Sequence, residues 1–266
     1  TSHLRENLSD LLRLCSRPHI TQENVDKERG SIAQEVRMYE DSADYCTMFD
    51  LLGCLFPAHP VRFTVGGTVE SIAAITPKML LDCHDAFYRT GNAALAVAGP
   101  VDPQEVFDLA SACALPAGAA PESLVPHDAG PIGAARRERR MAIARPKVLL
   151  GIKDPAPALD WRARAERASQ TWVVLDRLFG AGSDLREGMH RRGEVDDSLG
   201  ASYMGDQTYA VATIGCESED PDAAVAAMRR ALQQPVAFDE EHLELVRRRH
   251  LGGFVRSCEN VRALAF

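Results

Sequence analysis

Apolar positions between Pro18 and Asp41 recur with a helical period. In PHITQENVDKERGSIAQEVRMYED, an advance of about 100° per residue gathers Val25, Ile32, Val36 and Tyr39 on one face. The charged residues Glu23, Asp26, Lys27, Arg29, Arg37, Glu40 and Asp41 fall elsewhere on the wheel. Thr21 stands where an N-cap belongs, and Ile20 and Val25 hold the two positions of a hydrophobic staple. The pattern predicts a helix from Thr21 to about Glu40, roughly 30 Å long. Gly30 alone interrupts it, at a cost of about 1 kcal/mol relative to Ala. Two charges break the rule, because Glu28 and Glu35 fall within the apolar stripe, two turns apart. A carboxylate aimed into a core is costly unless it is paired, protonated or bound to a cation. Pairing with Arg or Lys of a neighbouring element meets that demand, and so does a metal or catalytic role. Helical geometry alone leaves both open.

The same reading extends along the chain. Leu4–Ser16 is an amphipathic helix with Leu4, Leu8, Leu11, Leu12 and Cys15 on one side. Ser42 to about Phe56 is a second apolar helix, stopped by Pro57. His59–Ile72 reads as a loop around the Gly66–Gly67 pair. Thr76-Pro77 opens a further helix carrying Leu80, Leu81, Cys83, His84, Phe87 and Tyr88, and AALAVA, Ala93–Ala98, reads as a buried strand. Asp102-Pro103-x-Glu105 then starts a helix to about Cys113. From Leu115 to Arg140, Ala, Gly and Pro dominate, as in an interdomain linker.

Beyond the linker, Lys147–Ile152 is a predicted strand and Trp161–Phe179 a long helix. Gly180–Ser183 reads as a helix–helix turn before Asp184–Arg192, with a substrate-facing loop as the alternative. Leu199–Met204 and Tyr209–Cys216 follow as strands, Asp220-Pro221 caps a helix to Gln233, and Asp239–Val255 is a last, basic-faced helix with His242 and His250 on its surface. Each half carries a strand and an Asp-Pro helix start. The expected organisation is therefore two similar α+β domains, 1–115 and 141–266, joined by residues 116–140.

Composition narrows the function. The 266 residues are 45 % hydrophobic and 26 % charged, as in a globular protein. A net charge of −8 argues against nucleic acid as the main partner, and the one basic run, Arg136–Arg140, reads as a solvated linker end. Seven cysteines, without a CxxC pair or regular spacing, point to reduced thiols and a cytoplasmic setting. Cys54, Cys83 and Cys113 sit among apolar neighbours, as small core residues do. No stretch is long and apolar enough for a membrane span, and none has the form of a signal peptide.

ENVDKERGSIAQEVRMYED, followed by HPVRFTVGGTVESIAAITPKMLLDCHDAFYRTGNAALAVAGPVD, resembles the pitrilysin/insulinase family of zinc peptidases, in its short bacterial, processing-protease-like branch. KVLLGIKD, LFGAGSDLREGMHRRGEVDDSLGASY and GCESEDPDAA continue the resemblance, which covers Leu4 to Phe266. It implies mostly antiparallel sheets covered by helices, and zinc held by an inverted His-x-x-Glu-His motif plus a glutamate from a later helix. By resemblance, Glu35 is that third zinc ligand and Glu28 a supporting acid behind it.

The eight histidines contain no His-x-x-Glu-His, which the resemblance places upstream of Thr1. The chain is therefore expected to be an internal piece of a zinc-dependent metalloendopeptidase, inactive by itself. The full protein would act on peptides or unfolded segments, as a homodimer or with a paralogous subunit. The competing expectation is a non-catalytic paralogue that binds peptides or scaffolds a catalytic partner.

Overall fold

The computed structural model describes residues 3–112, 115–122, 130–155, 160–238 and 240–265. They cluster into two compact units. The first comprises Thr1–Ala33, Val69–Ser123 and Arg247–Phe266, and the second Gln34–Thr68 and Leu124–Val246. The helices of the N-terminal part are α1 (Leu4–Ser16), α2 (Gln22–Glu40), α3 (Ala43–Leu55), α4 (Val69–Ala73), α5 (Pro77–Phe87) and α6 (Pro103–Ser111). After them come β1 (Lys147–Lys153), α7 (Trp161–Phe179), α8 (Asp184–Arg191), β2 (Gly200–Gly205), β3 (Ala210–Glu217), α9 (Pro221–Leu232), α10 (Glu240–Cys258) and α11 (Val261–Ala265).

The second unit is built on an antiparallel sheet ordered β1-β3-β2. Its central strand, β3, is apolar at nearly every position because both of its faces are covered. Ala212, Ile214 and Cys216 point into a core with Leu175, Leu178 and Phe179 of α7 and Met228 of α9. Val211, on the opposite face by strand alternation, packs with Leu52, Leu55 and Phe56 around α3. Gly151 of β1 makes that second packing possible: a Cβ there would lie 2.7 Å from the side chains of Leu51 and Leu55. Asp154 extends the sheet by donating its N–H to Ala210 O at 2.9 Å. Its buried carboxylate accepts two hydrogen bonds from Arg167, at 2.6 and 2.7 Å, and one from the Tyr203 hydroxyl at 2.7 Å.

The first unit is helical and has a thin core. Among its described residues the buried hydrophobics are Leu8, Val25 and Ile72. Polar contacts supplement them: the His84 ring shares a hydrogen bond with Cys15 O at 2.8 Å, Arg5 pairs with Glu105 at 2.8 Å, and Arg29 donates to Ile75 O.

Helix starts carry side-chain caps, at Thr76 and Asp220 as predicted and at Ser42 in addition. Thr76 Oγ1 accepts from Met79 N at 3.2 Å, Ser42 Oγ from Tyr45 N at 3.4 Å, and Asp220 Oδ1 from Ala223 N at 3.0 Å. Gly180–Ser183 is a turn whose buried Ser183 caps α8. The Arg136–Arg140 run is exposed, but Arg139 makes two hydrogen bonds to Asp50, at 2.7 and 2.8 Å, and they hold that carboxyl below its ordinary range.

Several expectations need correction. Ala93–Ala98 is not a strand: no described residue forms a ladder with it, and Leu95 and Val97 stand 43 % and 38 % exposed. A strand is stabilised by a partner's N–H and C=O groups, which apolar sequence does not supply. The sheet that is present lies wholly within the second unit, so two similar sheet-bearing domains are not seen among the described residues. His59–Ile72 is not all loop. It contains a 3-10 turn, Pro60–Arg62, and the start of α4, anchored by buried Ile72, while Gly67 takes the left-handed φ of 69° that the glycine pair predicted. Cys54 is buried as expected, Cys83 is exposed, and Cys113 lies outside the described residues. His250 is exposed, whereas His242 is half-buried, 4.0 Å from Asp176 Oδ2.

Candidate functional site

The α2 helix begins where Thr21 Oγ1 accepts the N–H of Asn24 at 3.2 Å, and it runs unbroken to Glu40. Its residues to Ala33 belong to the first unit and the rest to the second. In the first unit Glu28 is exposed, and it has no hydrogen bond or ion pair among the described residues. In the second, Glu35 is exposed as well. The expectation that these carboxylates aim into a core is therefore wrong. On α2 only Val25 and Val36 are buried, whereas Ile32 is 38 % and Tyr39 37 % exposed. The remainder of the stripe is only partly covered among the described residues. Both carboxylates are exposed, and among the described residues neither forms an ion pair with Arg or Lys.

Glu35 does have one partner, which the sequence reading missed. The hydroxyl of Tyr39, one helical turn later, donates to Glu35 Oε1 at 3.2 Å. The i,i+4 spacing was the available signal. That hydrogen bond, followed by the charge of Glu35, raises the Tyr39 pKa above its ordinary value. Tyr39 is fixed from the other side by an aromatic row. Its ring stacks on Tyr45 at 4.8 Å, and Tyr45 meets Phe49 at 4.7 Å. The chain turns sharply between α2 and α3: Ser42 N donates to Tyr39 O at 3.0 Å, and the Cys46 thiol to Glu40 O at 3.2 Å.

As a single oxygen ligand, Glu35 fits a zinc site. It is exposed, Oε1 is hydrogen-bonded, and Oε2 is not otherwise engaged among the described residues. The described residues do not complete such a site, because no three His, Cys, Asp or Glu side chains come together as metal ligands. A catalytic zinc uses three protein ligands.

A different polar constellation, also unforeseen, surrounds buried His59 in the second unit. Its Nδ1 accepts from Val61 N at 3.0 Å, so Nε2 carries the proton and donates to Thr208 Oγ1 at 3.0 Å. Thr208 Oγ1 in turn donates to Asp206 at 2.6 Å. The ring lies against Phe56 and Tyr209, at centroid distances of 6.3 and 5.3 Å. Both ring nitrogens of His59 and the Thr208 hydroxyl are engaged internally, and the arrangement ties the end of α3 to the β2–β3 turn.

The chain matches the family described as "Peptidase M16 inactive domain" over residues 74–249, and it belongs to the M16, pitrilysin-like, peptidase family. It is similar to the uncharacterized zinc protease YmfH of Bacillus subtilis, with 28 % identity over 100 % of this chain and 63 % of YmfH. A structure of an M16-like peptidase from Alicyclobacillus acidocaldarius is similar throughout, with TM-score 0.85 and 29 % identity over 100 % of this chain and 64 % of that one. Pitrilysin itself shares the fold, with TM-score 0.59 and 16 % identity over 91 % of this chain and 27 % of pitrilysin. The chain thus spans under two thirds of the length of YmfH and of the Alicyclobacillus protein. The inactive-domain match begins at residue 74, after α2, so Glu28 and Glu35 lie outside it. Among the described residues no helix is long and apolar enough to cross a membrane.

Proposed function

We propose that the full protein is a zinc-dependent metalloendopeptidase that hydrolyses peptides or unfolded protein segments, and that this chain contributes Glu35 as a metal ligand and Glu28 as a supporting acid. One observation carries the reading. α2 precedes the part that matches the inactive domain, and it presents Glu35 outward with one carboxylate oxygen oriented and the other available. The zinc-protease name of YmfH, which the whole chain resembles, supports the activity.

The histidine ligands and the general base would come from a His-x-x-Glu-His outside these residues. When bound, zinc would polarise the scissile carbonyl and activate water. Glu28 would orient a ligand or that water from behind. The two-domain organisation, 1–115 and 141–266 about a 116–140 linker, belongs to the same proposal, with the first domain completed by residues outside the chain. The enclosed chamber would be formed by a homodimer or with a paralogous subunit. Unbridged thiols at the six described cysteines support a cytoplasmic setting.

The test is zinc content and peptidase activity of the full-length protein and its Glu35→Gln variant. The wild type is expected to hold zinc and cleave an unfolded peptide, and the variant to lose most of both. A wild type that binds peptide but neither holds zinc nor cleaves would establish instead the non-catalytic, peptide-binding or scaffolding subunit. Undiminished zinc in Glu35→Gln would overturn the ligand assignment.

A further inference from the structure

We infer that Tyr39 is a positioning residue for the Glu35 carboxylate: its hydroxyl occupies Oε1 and so presents Oε2 as the single oxygen available to a metal. The inference rests on the reading of Glu35 as a zinc ligand and adds to it the group that sets the ligand's geometry. An exposed glutamate has three side-chain torsions, and ordering it costs rotamer freedom. A ligand that already has one oxygen held has lost part of that freedom before the metal arrives.

The restraint on Glu35 is only as firm as Tyr39, and Tyr39 is held at three points. Its ring stacks on Tyr45, 4.8 Å away and inclined by 22°, and Tyr45 is backed by Phe49. Its carbonyl accepts from Ser42 N at 3.0 Å at the end of α2. Its own backbone lies in the same helix as Glu35, four residues on. The stack on Tyr45 restrains one face of the ring and leaves the hydroxyl 3.2 Å from Oε1. Outer groups that hydrogen-bond a ligating carboxylate in this way typically account for 10–100-fold in metal affinity.

The experiment uses the full-length protein with zinc, and compares Tyr39→Phe, Tyr39→Leu and Glu35→Gln. Zinc affinity is measured by competition with a chromophoric chelator, and the visible spectrum is recorded after cobalt(II) substitution. Tyr39→Phe keeps the stacked ring and removes only the hydroxyl. It is expected to lower zinc affinity about 10-fold and to shift the cobalt bands, with Tyr39→Leu equally affected and Glu35→Gln affected more severely. If Tyr39→Phe keeps wild-type affinity and spectrum while Glu35→Gln loses the metal, the positioning role is overturned and the ligand assignment stands. Loss in Tyr39→Leu alone would show that ring packing matters and the hydroxyl does not, which also overturns the inference. Wild-type zinc in Glu35→Gln would remove the reading on which both depend.

Discussion

Two runs of small apolar residues met different fates. Ala93–Ala98 and Ala210–Cys216 have similar composition, and each is followed by an Asp-Pro helix start. The second is β3, paired on both sides and covered on both faces, with Val211 and Ile214 fully buried. The first is unpaired among the described residues and largely exposed. Strand character is thus a relation between segments, and burial follows the partner more than the hydrophobicity of the run.

The contrast can be tested, beginning where the effect is largest. Ile214→Ala should destabilise the second unit by about 2–5 kcal/mol in chemical denaturation, because it opens a cavity between the sheet and α7. Asp154→Ala should cost about 1–3 kcal/mol, since it strips the Arg167 guanidinium, itself partly solvated, and the Tyr203 hydroxyl of their acceptor at the sheet margin.

The same anchor predicts a dependence on pH. Burial, then the hydrogen bond to Asp154, pushes the Tyr203 pKa from 10.0 up to about 12. A group whose folded pKa lies above its unfolded value contributes stability that is fully present below pH 10 and lost as pH rises through 12. Melting temperatures measured across that window should fall in the wild type and fall less in Tyr203→Phe. Smallest of all, Leu95→Ala should change the stability of this chain by less than about 0.5 kcal/mol. A cost of about 2–5 kcal/mol for the same substitution in the full-length protein would show that residues outside this chain bury Leu95 there.

The divide between what was legible and what was not follows the range of the interactions. Helix starts at Ser42, Thr76, Asp102 and Asp220 depend on a side chain two or three residues from the N–H it accepts, so the local sequence holds all the information. The strands of the second unit were legible because their partners lie within the chain. The direction of Glu28 and Glu35 was not, because a helical wheel shows which residues share a face but not what covers it. Tyr39 was assigned to packing by its ring, and its hydroxyl was overlooked. His59 escaped because its partner Thr208 lies 149 residues away.

The strand order β1-β3-β2 also bears on assembly in time. β2 and β3 are joined by a turn in which Asp206 Oδ1 accepts from Thr208 N at 2.6 Å and Tyr209 N at 3.3 Å. That hairpin closes from contacts a few residues apart. β1 reaches β3 only after the whole stretch containing α7 and α8 has been looped back, with Lys147 opposite Glu217. Loop-closure entropy penalises the longer step, so the central strand acquires its β2 side early and its β1 side late. Between those events the β1 edge of β3, a strand buried at nearly every position in the finished fold, is open, and α3 and α9 are the elements that pack against β1 once it has docked.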